Sequence, residues 1–189
     1  IASGTVSVAQ SIDSEVRTVT VPLTSEPIVI DGVLDETVWQ TVPSIGDLIQ
    51  RQPNPGDQPS ERTEVKLLHN ADYLYLGVVA YDTEPDEIIG TQMARDGNIW
   101  SDDHLEVLLD TFLDQRNAYY FATNPTGALV DGLLLPNELR VNTNWDAIWD
   151  LRTQRSENAW VIEIAIPFKS LSFSKDHSEW GFNIKRAVF

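Results

Sequence analysis

The chain has 189 residues, no cysteine, and 29 acidic against 13 basic side chains, a formal net charge of −16. This length suits one domain with a full core, and the missing cysteines exclude disulfides and thiolate metal sites without bearing on compartment. The charge argues against a nucleic-acid partner, which needs a basic patch, whereas an acidic surface suits solubility outside cells and offers oxygen ligands to calcium.

Residues 1–17 are small and polar with no sustained period, and are expected to be a flexible leader to a single domain over 18–189. Ile1-Ala-Ser-Gly lacks the basic and apolar regions of a signal peptide. No stretch reaches the roughly 18 apolar residues of a membrane helix. Residues 18–23 alternate weakly, as a first strand. Pro27-Ile-Val-Ile30 is a short apolar run, and Asp31-Gly32 turns the chain. The stretch from Leu34 to Trp39 predicts one helical turn with Asp35 as N-cap, and Ile45 to Gln50 a short strand. Residues 53–59 are loop.

A β-hairpin follows. Residues 62–69 put Val65 and Leu67 on one face, Asn70-Ala71-Asp72 turns, and residues 73–81 alternate Tyr73, Tyr75, Gly77 against Leu74, Leu76, Val78. An acidic loop lies at 82–86 and a polar loop at 95–103. A strand over 104–110 would place Leu105, Val107 and Leu109 on one face, with Glu106, Leu108 and Asp110 on the other. Residues 117–124 and 128–135 form the next predicted hairpin, and 145–153 with 160–166 the last. There, Trp160, Ile162, Ile164 and Ile166 share a face. Residues 167–171 read as a helical turn and 179–188 as the closing strand. About ten short strands with hairpin turns and almost no helix predict an all-β fold. The expected architecture is an antiparallel β-sandwich of immunoglobulin-like or jelly-roll type. Trp39, Trp160 and Trp180 are assigned to its core.

Ile30-Asp-Gly-Val-Leu-Asp35 with Trp39, then residues 61–86, 100–127 and 160–168, and finally Trp180-Gly-Phe-Asn183, follow one another in a recognisable order. In these stretches the chain resembles the family 9 carbohydrate-binding modules. In particular it looks like the sandwich domain at the N-terminus of bacterial outer-membrane barrel proteins. The resemblance implies a β-sandwich, structural calcium, and carbohydrate binding without catalysis, in an extracytoplasmic setting. It also implies a membrane barrel of the same protein as a partner.

Trp100 and Glu106 match the family pattern of a tryptophan six residues before a strand glutamate. An indole can stack on the C–H face of a pyranose while a fixed carboxylate accepts from its hydroxyls. The alternative is that Trp100 caps the sandwich and Glu106 pairs with a cross-strand arginine or lysine. Family members that bind sugar hold it between two tryptophans, the second following the closing strand. This sequence ends at Phe189, before that position, which favours a piece of a longer protein. It carries Ala122 near where family members offer an arginine. Trp145 and Trp149, four residues apart, are further candidates for an aromatic wall; the alternative makes one of them core and the other half-exposed.

Asp82, Glu84, Asp86, Asp102, Asp103 and Asp110 are candidate calcium ligands, because calcium takes six to eight oxygens from carboxylates and loop carbonyls. The alternative is a set of solvated loop acids. Asp102 with Glu106 is conceivable as a glycosidase pair, but among 29 acids such a pair is expected by chance. Two alternatives to sugar binding remain from other classes. One is a structural or docking cap on an outer-membrane barrel. The other is a haem-binding sandwich with Met93 and Lys185 as axial ligands.

Overall fold

The computed structural model describes residues 5–8, 17–46, 48–136 and 141–189. Among these are ten strands: β1 (Thr5–Val8), β2 (Arg17–Thr20), β3 (Thr63–His69), β4 (Tyr73–Tyr81), β5 (His104–Asp110), β6 (Ala118–Thr123), β7 (Val130–Leu134), β8 (Asp150–Arg155), β9 (Ala159–Pro167) and β10 (Glu179–Ala187). One short helix, α1 (Thr37–Thr41), and a 3-10 turn, Phe168–Ser170, complete the set. The strands form two sheets, β2-β1-β10-β5-β6-β7 and β3-β4-β9-β8. All pairings are antiparallel except β1 with β10, which is parallel. Most of the leader expected over 1–17 lies outside the described residues.

The period-two alternation sets which side chains meet between the sheets. Val65, Leu67, Leu74, Leu76, Val78, Trp160, Ile162, Ile164 and Ile166 come from the four-stranded sheet. Leu105, Val107, Leu109, Phe121, Phe182 and Ile184 come from the six-stranded one. Burying an aliphatic side chain of this kind contributes about 1.5–3 kcal/mol relative to leaving it exposed. Trp39 and Trp160 are fully buried, and Trp180 packs half-buried against the core.

Several expected elements differ in extent. Residues 27–30 form no strand, nor do the described residues 45–46 and 48–50; Ile28 and Ile30 instead pack on the outer face of the four-stranded sheet. The helical turn is shifted onward to α1, with Glu36 rather than Asp35 at the N-cap position and no side-chain capping bond there. The strand predicted from Trp145 begins only at Asp150.

A third layer covers the outer face of the four-stranded sheet. Trp39 and Val42 pack there on Leu68, Tyr75 and Ala165, with Leu34 and Val38 beside them. Gly77 makes room for it: a Cβ there would lie 2.8 Å from Leu34 and 3.1 Å from the Trp39 ring. Glu163, directly opposite Gly77 on β9, is fully buried and pins the layer. Its carboxylate accepts the backbone N–H groups of Asp31 (3.0 Å) and Gly32 (3.2 Å) and the Trp39 indole N–H (3.3 Å). Gly32, at φ +89°, has the backbone freedom that presents both amides.

Burial lifts the Glu163 carboxyl from 4.5 to about 7, against the pull of the Asp31 and Gly32 amides. A carboxyl with a raised folded pKa holds its proton better in the folded chain. The stability this gives is fully present below 4.5 and is lost as the pH rises through about 7. Glu163→Gln should therefore flatten the decline of the thermal midpoint over that window relative to wild type. Thermal melts of both proteins across the window check this; parallel curves would refute it. Glu163→Ala, which strands three buried donors, should cost about 3 kcal/mol or more.

Candidate functional site

The outer face of the six-stranded sheet carries the second polar arrangement. Because Leu105, Val107 and Leu109 point inward, Glu106 and Leu108 point out. Register lines up Lys185, Glu106, Ala122 and Val130 across β10, β5, β6 and β7. The Lys185 ammonium donates to Oε1 of Glu106, and the Tyr120 hydroxyl donates to Oε2 at 3.0 Å. Burial opposes the charge on Glu106, but His104, Lys185 and Tyr120 outweigh it and hold the carboxyl at about 2. Burial and the adjacent carboxylate push the Tyr120 phenol up. Ala122 and Val130 lie buried with Ile99, Tyr120 and Ala128, so the row is polar at one end and sealed at the other.

Two exposed aromatic rings stand over the polar end. Trp100 is 47% exposed and meets the His104 imidazole edge-on, with centroids 5.2 Å apart. Phe189 is 60% exposed and lies 5.9 Å from the same imidazole, tilted by 32°. Trp100 also lies 6.4 Å from Tyr120.

The loop carrying Trp100 is fixed from beneath by Asp102. Its buried carboxylate accepts from the backbone N–H groups of Thr91 (2.9 Å) and Gln92 (3.0 Å), the Thr91 hydroxyl (2.7 Å) and the Asn124 amide (2.7 Å). Burial opposes ionisation here too, but these donors hold the carboxyl at about 2.

Trp100 and Glu106 are thus brought to one site, joined there by His104, Tyr120, Lys185 and Phe189. Trp145 and Trp149 are not part of it. Trp149 is buried 5.1 Å from Phe121, its indole donating to Asp131 at 3.1 Å. Trp145 is half-buried, 4.9 Å from Tyr119 and 6.2 Å from Phe121. Tyr119 and Phe121 lie on the inner face of β6, whereas Tyr120, beside Trp100, lies on the outer face. The expected second wall at 145 and 149 is corrected on this ground. The segment bends before β8 begins, with Ala147 N–H donating to Asp131 at 2.5 Å.

Four of the six acids named for calcium are spent on other partners. Asp110 accepts the backbone N–H groups of Phe112, Asp114 and Gln115. Asp102 is saturated as described. Asp82 takes the Glu84 amide and, at 3.0 Å, the Arg186 guanidinium, while Asp103 takes the Ile89 amide at 2.7 Å. Glu84 and Asp86 are exposed. Among the described residues, no three such ligand side chains converge on a metal position. Asp82 and Asp103 do come together, around the buried Arg186 side chain. Burial works against its charge, and Asp82, Asp103 and Glu61 favour it. Its guanidinium also donates to the carbonyls of Tyr81 (2.6 Å) and Arg62 (3.2 Å). These residues do not fit a calcium ion, because a guanidinium already holds the cation's place. As for haem, Met93 is 77% exposed on the 91–97 loop and the Lys185 nitrogen is engaged by Glu106.

A two-sheet sandwich with exposed rings over a fixed polar row has the form of a carbohydrate-binding module. Residues 30–187 match the model of the carbohydrate family 9 binding domain-like family, and the chain belongs to that family. A search of curated proteins returns no match. Two solved structures of family 9 carbohydrate-binding modules from Caldicellulosiruptor kristjanssonii share the fold. One, in complex with cellotriose, is 16% identical with a TM-score of 0.55, over 78% of this chain and 66% of that one. The other, in complex with glucose, is 15% identical with a TM-score of 0.62, over 89% and 78%. The chain thus spans just under two thirds of the cellotriose-bound protein.

Removing the guanidinium strands buried carboxylates, so Arg186→Met should cost about 3–5 kcal/mol. Chelator should leave the wild-type thermal midpoint unchanged. A drop of several degrees on chelation, restored by calcium, would show that a metal site exists and that Arg186 does not replace it.

Proposed function

We propose that the chain is a non-catalytic carbohydrate-binding module whose site is the outer-face cluster of Trp100, His104, Glu106, Lys185 and Phe189. The observation that carries the reading is the pair of exposed rings, Trp100 and Phe189, resting on one imidazole beside the Glu106–Lys185 pair. A pyranose offers an apolar C–H face to such rings and hydroxyls to the charged pair. Phe189, the second of these rings, follows the closing strand β10. A catalytic role is disfavoured by Asp102: its carboxylate is buried and bound by four donors, so it is not available beside Glu106 as an acid or base. The sugar-bound neighbours make glucose and cellotriose the first probes. An extracytoplasmic location, in a secreted protein or ahead of an outer-membrane barrel, belongs to the same proposal. Its support is the sequence resemblance and the acidic composition.

Titration of the domain with glucose and cellotriose, followed by tryptophan fluorescence and calorimetry, tests the reading. Trp100→Ala should abolish the ligand response while moving the thermal midpoint by no more than about 2 °C, since the ring is half-exposed. A large stability loss with binding intact would make Trp100 a structural cap and favour a docking role without sugar.

A further inference from the structure

The outer-face cluster holds four polar side chains, and they are unequally open to solvent. His104 and Tyr120 are buried. The Glu106 side chain is 15% exposed and the Lys185 side chain 48%. Glu106 is engaged on both oxygens from within the chain. Lys185 bonds Oε1, Nε2 of His104 lies 3.4 Å from the same atom, and the Tyr120 hydroxyl bonds Oε2. Burial opposes the charge on Glu106, and these three neighbours favour it. The ammonium is less occupied. It carries three N–H donors and no acceptor. Among the described residues Glu106 is its one hydrogen-bond partner, which leaves two donors on a half-exposed side chain.

We propose that Lys185 is the specificity-determining residue of this site, its ammonium donating to a ring-edge oxygen of the sugar, with Glu106, His104 and Tyr120 as positioning residues behind it. The inference rests on the carbohydrate reading and sharpens its ligand class. Register sets Lys185 opposite Glu106. Glu106 in turn is flanked by His104 and Tyr120, the two rings that Trp100 meets. A pyranose lying on Trp100 and Phe189 thus brings its edge to the ammonium. A donor asks only a lone pair of the ligand. A hydroxyl and a methyl ether both supply one; a deoxy carbon does not. The half-exposed head group leaves an ether's methyl room in solvent. The ligand class is therefore sugars with an oxygen at that edge, free or alkylated. A site built on an open carboxylate would behave oppositely, needing the hydrogen of the hydroxyl and rejecting the ether.

The test titrates wild type, Lys185→Met and Lys185→Arg with glucose and with its series of monodeoxy and mono-O-methyl derivatives. At one ring position the deoxy sugar should bind wild type about tenfold more weakly than glucose, the worth of one hydrogen bond to a charged donor. The O-methyl sugar at that position should bind within about threefold of glucose. Lys185→Met should weaken glucose about tenfold and lose the deoxy penalty. Lys185→Arg, which keeps charged donors, should restore the penalty. Because Lys185→Met leaves Glu106 without its counter-charge, nitrogen-15 spectra of the wild-type ammonium supply a reading that needs no variant. The Lys185 Nζ signal should shift at saturating glucose. A series with no position where the deoxy sugar is penalised and the ether spared would overturn the inference and leave the carbohydrate reading standing. A Lys185 signal silent to bound glucose would do the same. A wild-type domain that binds none of these sugars would overturn the reading, and this inference with it.

Discussion

Four hydrogen-bond donors converge on the buried carboxylate of Asp102, two from the backbone and two from side chains. That convergence fixes the loop before β5 to the turn after β6, since Asn124 and Thr126 also bond the Gln92 carbonyl. The same residue's main-chain carbonyl orients His104. Trp100, two residues before Asp102, and His104, two residues after it, take their positions from this anchor. A loop held by so many charge-assisted bonds presents Trp100 and His104 at little further entropic cost, which favours any ligand that docks on them.

The molecule uses carboxylates for structure in several places. Glu163 gathers the third layer through amide and indole donors, Asp131 holds the segment before β8, and Asp82 with Asp103 encloses a guanidinium. Buried charges persist only where donors or counter-charges replace water. Each of these acids meets that condition from within the chain. The excess acidity therefore does not translate into a metal centre at the expected positions. At Arg186, the last strand delivers its own cation to the loop acids of β4 and β5.

Alternation made much of the sandwich legible. The 73–81 strand, the shared face of Trp160, Ile162, Ile164 and Ile166, and the outward phase of Glu106 all follow from period two. Residues 27–30 and 45–50 were harder, because apolar residues that pack on a sheet face (the outer one for Ile28 and Ile30, the core between the sheets for Ile45 and Leu48) look like strands when taken one by one. The site was half legible. Trp100 and Glu106 were readable from their spacing. Lys185 was foreseeable only as a generic cross-strand partner, since its pairing depends on the β5–β10 register. His104 joins the site through the Asp102 carbonyl and the Glu106 carboxylate, contacts visible only once β5 is placed. Phe189 carried no signal at all, because its contact with His104 joins residues 85 apart in sequence. Trp145 and Trp149 misled because a four-residue spacing was assigned to a strand that starts only after both of them, at Asp150.

The central claim is that one set of side chains, held by Asp102, forms the ligand site on the outer face of the six-stranded sheet. A crystal structure of the domain grown with cellotriose tests it most directly. The account predicts a sugar ring against Trp100 and Phe189, with a hydroxyl within hydrogen-bond distance of Glu106 or Lys185. Sugar bound on another face, away from these residues, would contradict it.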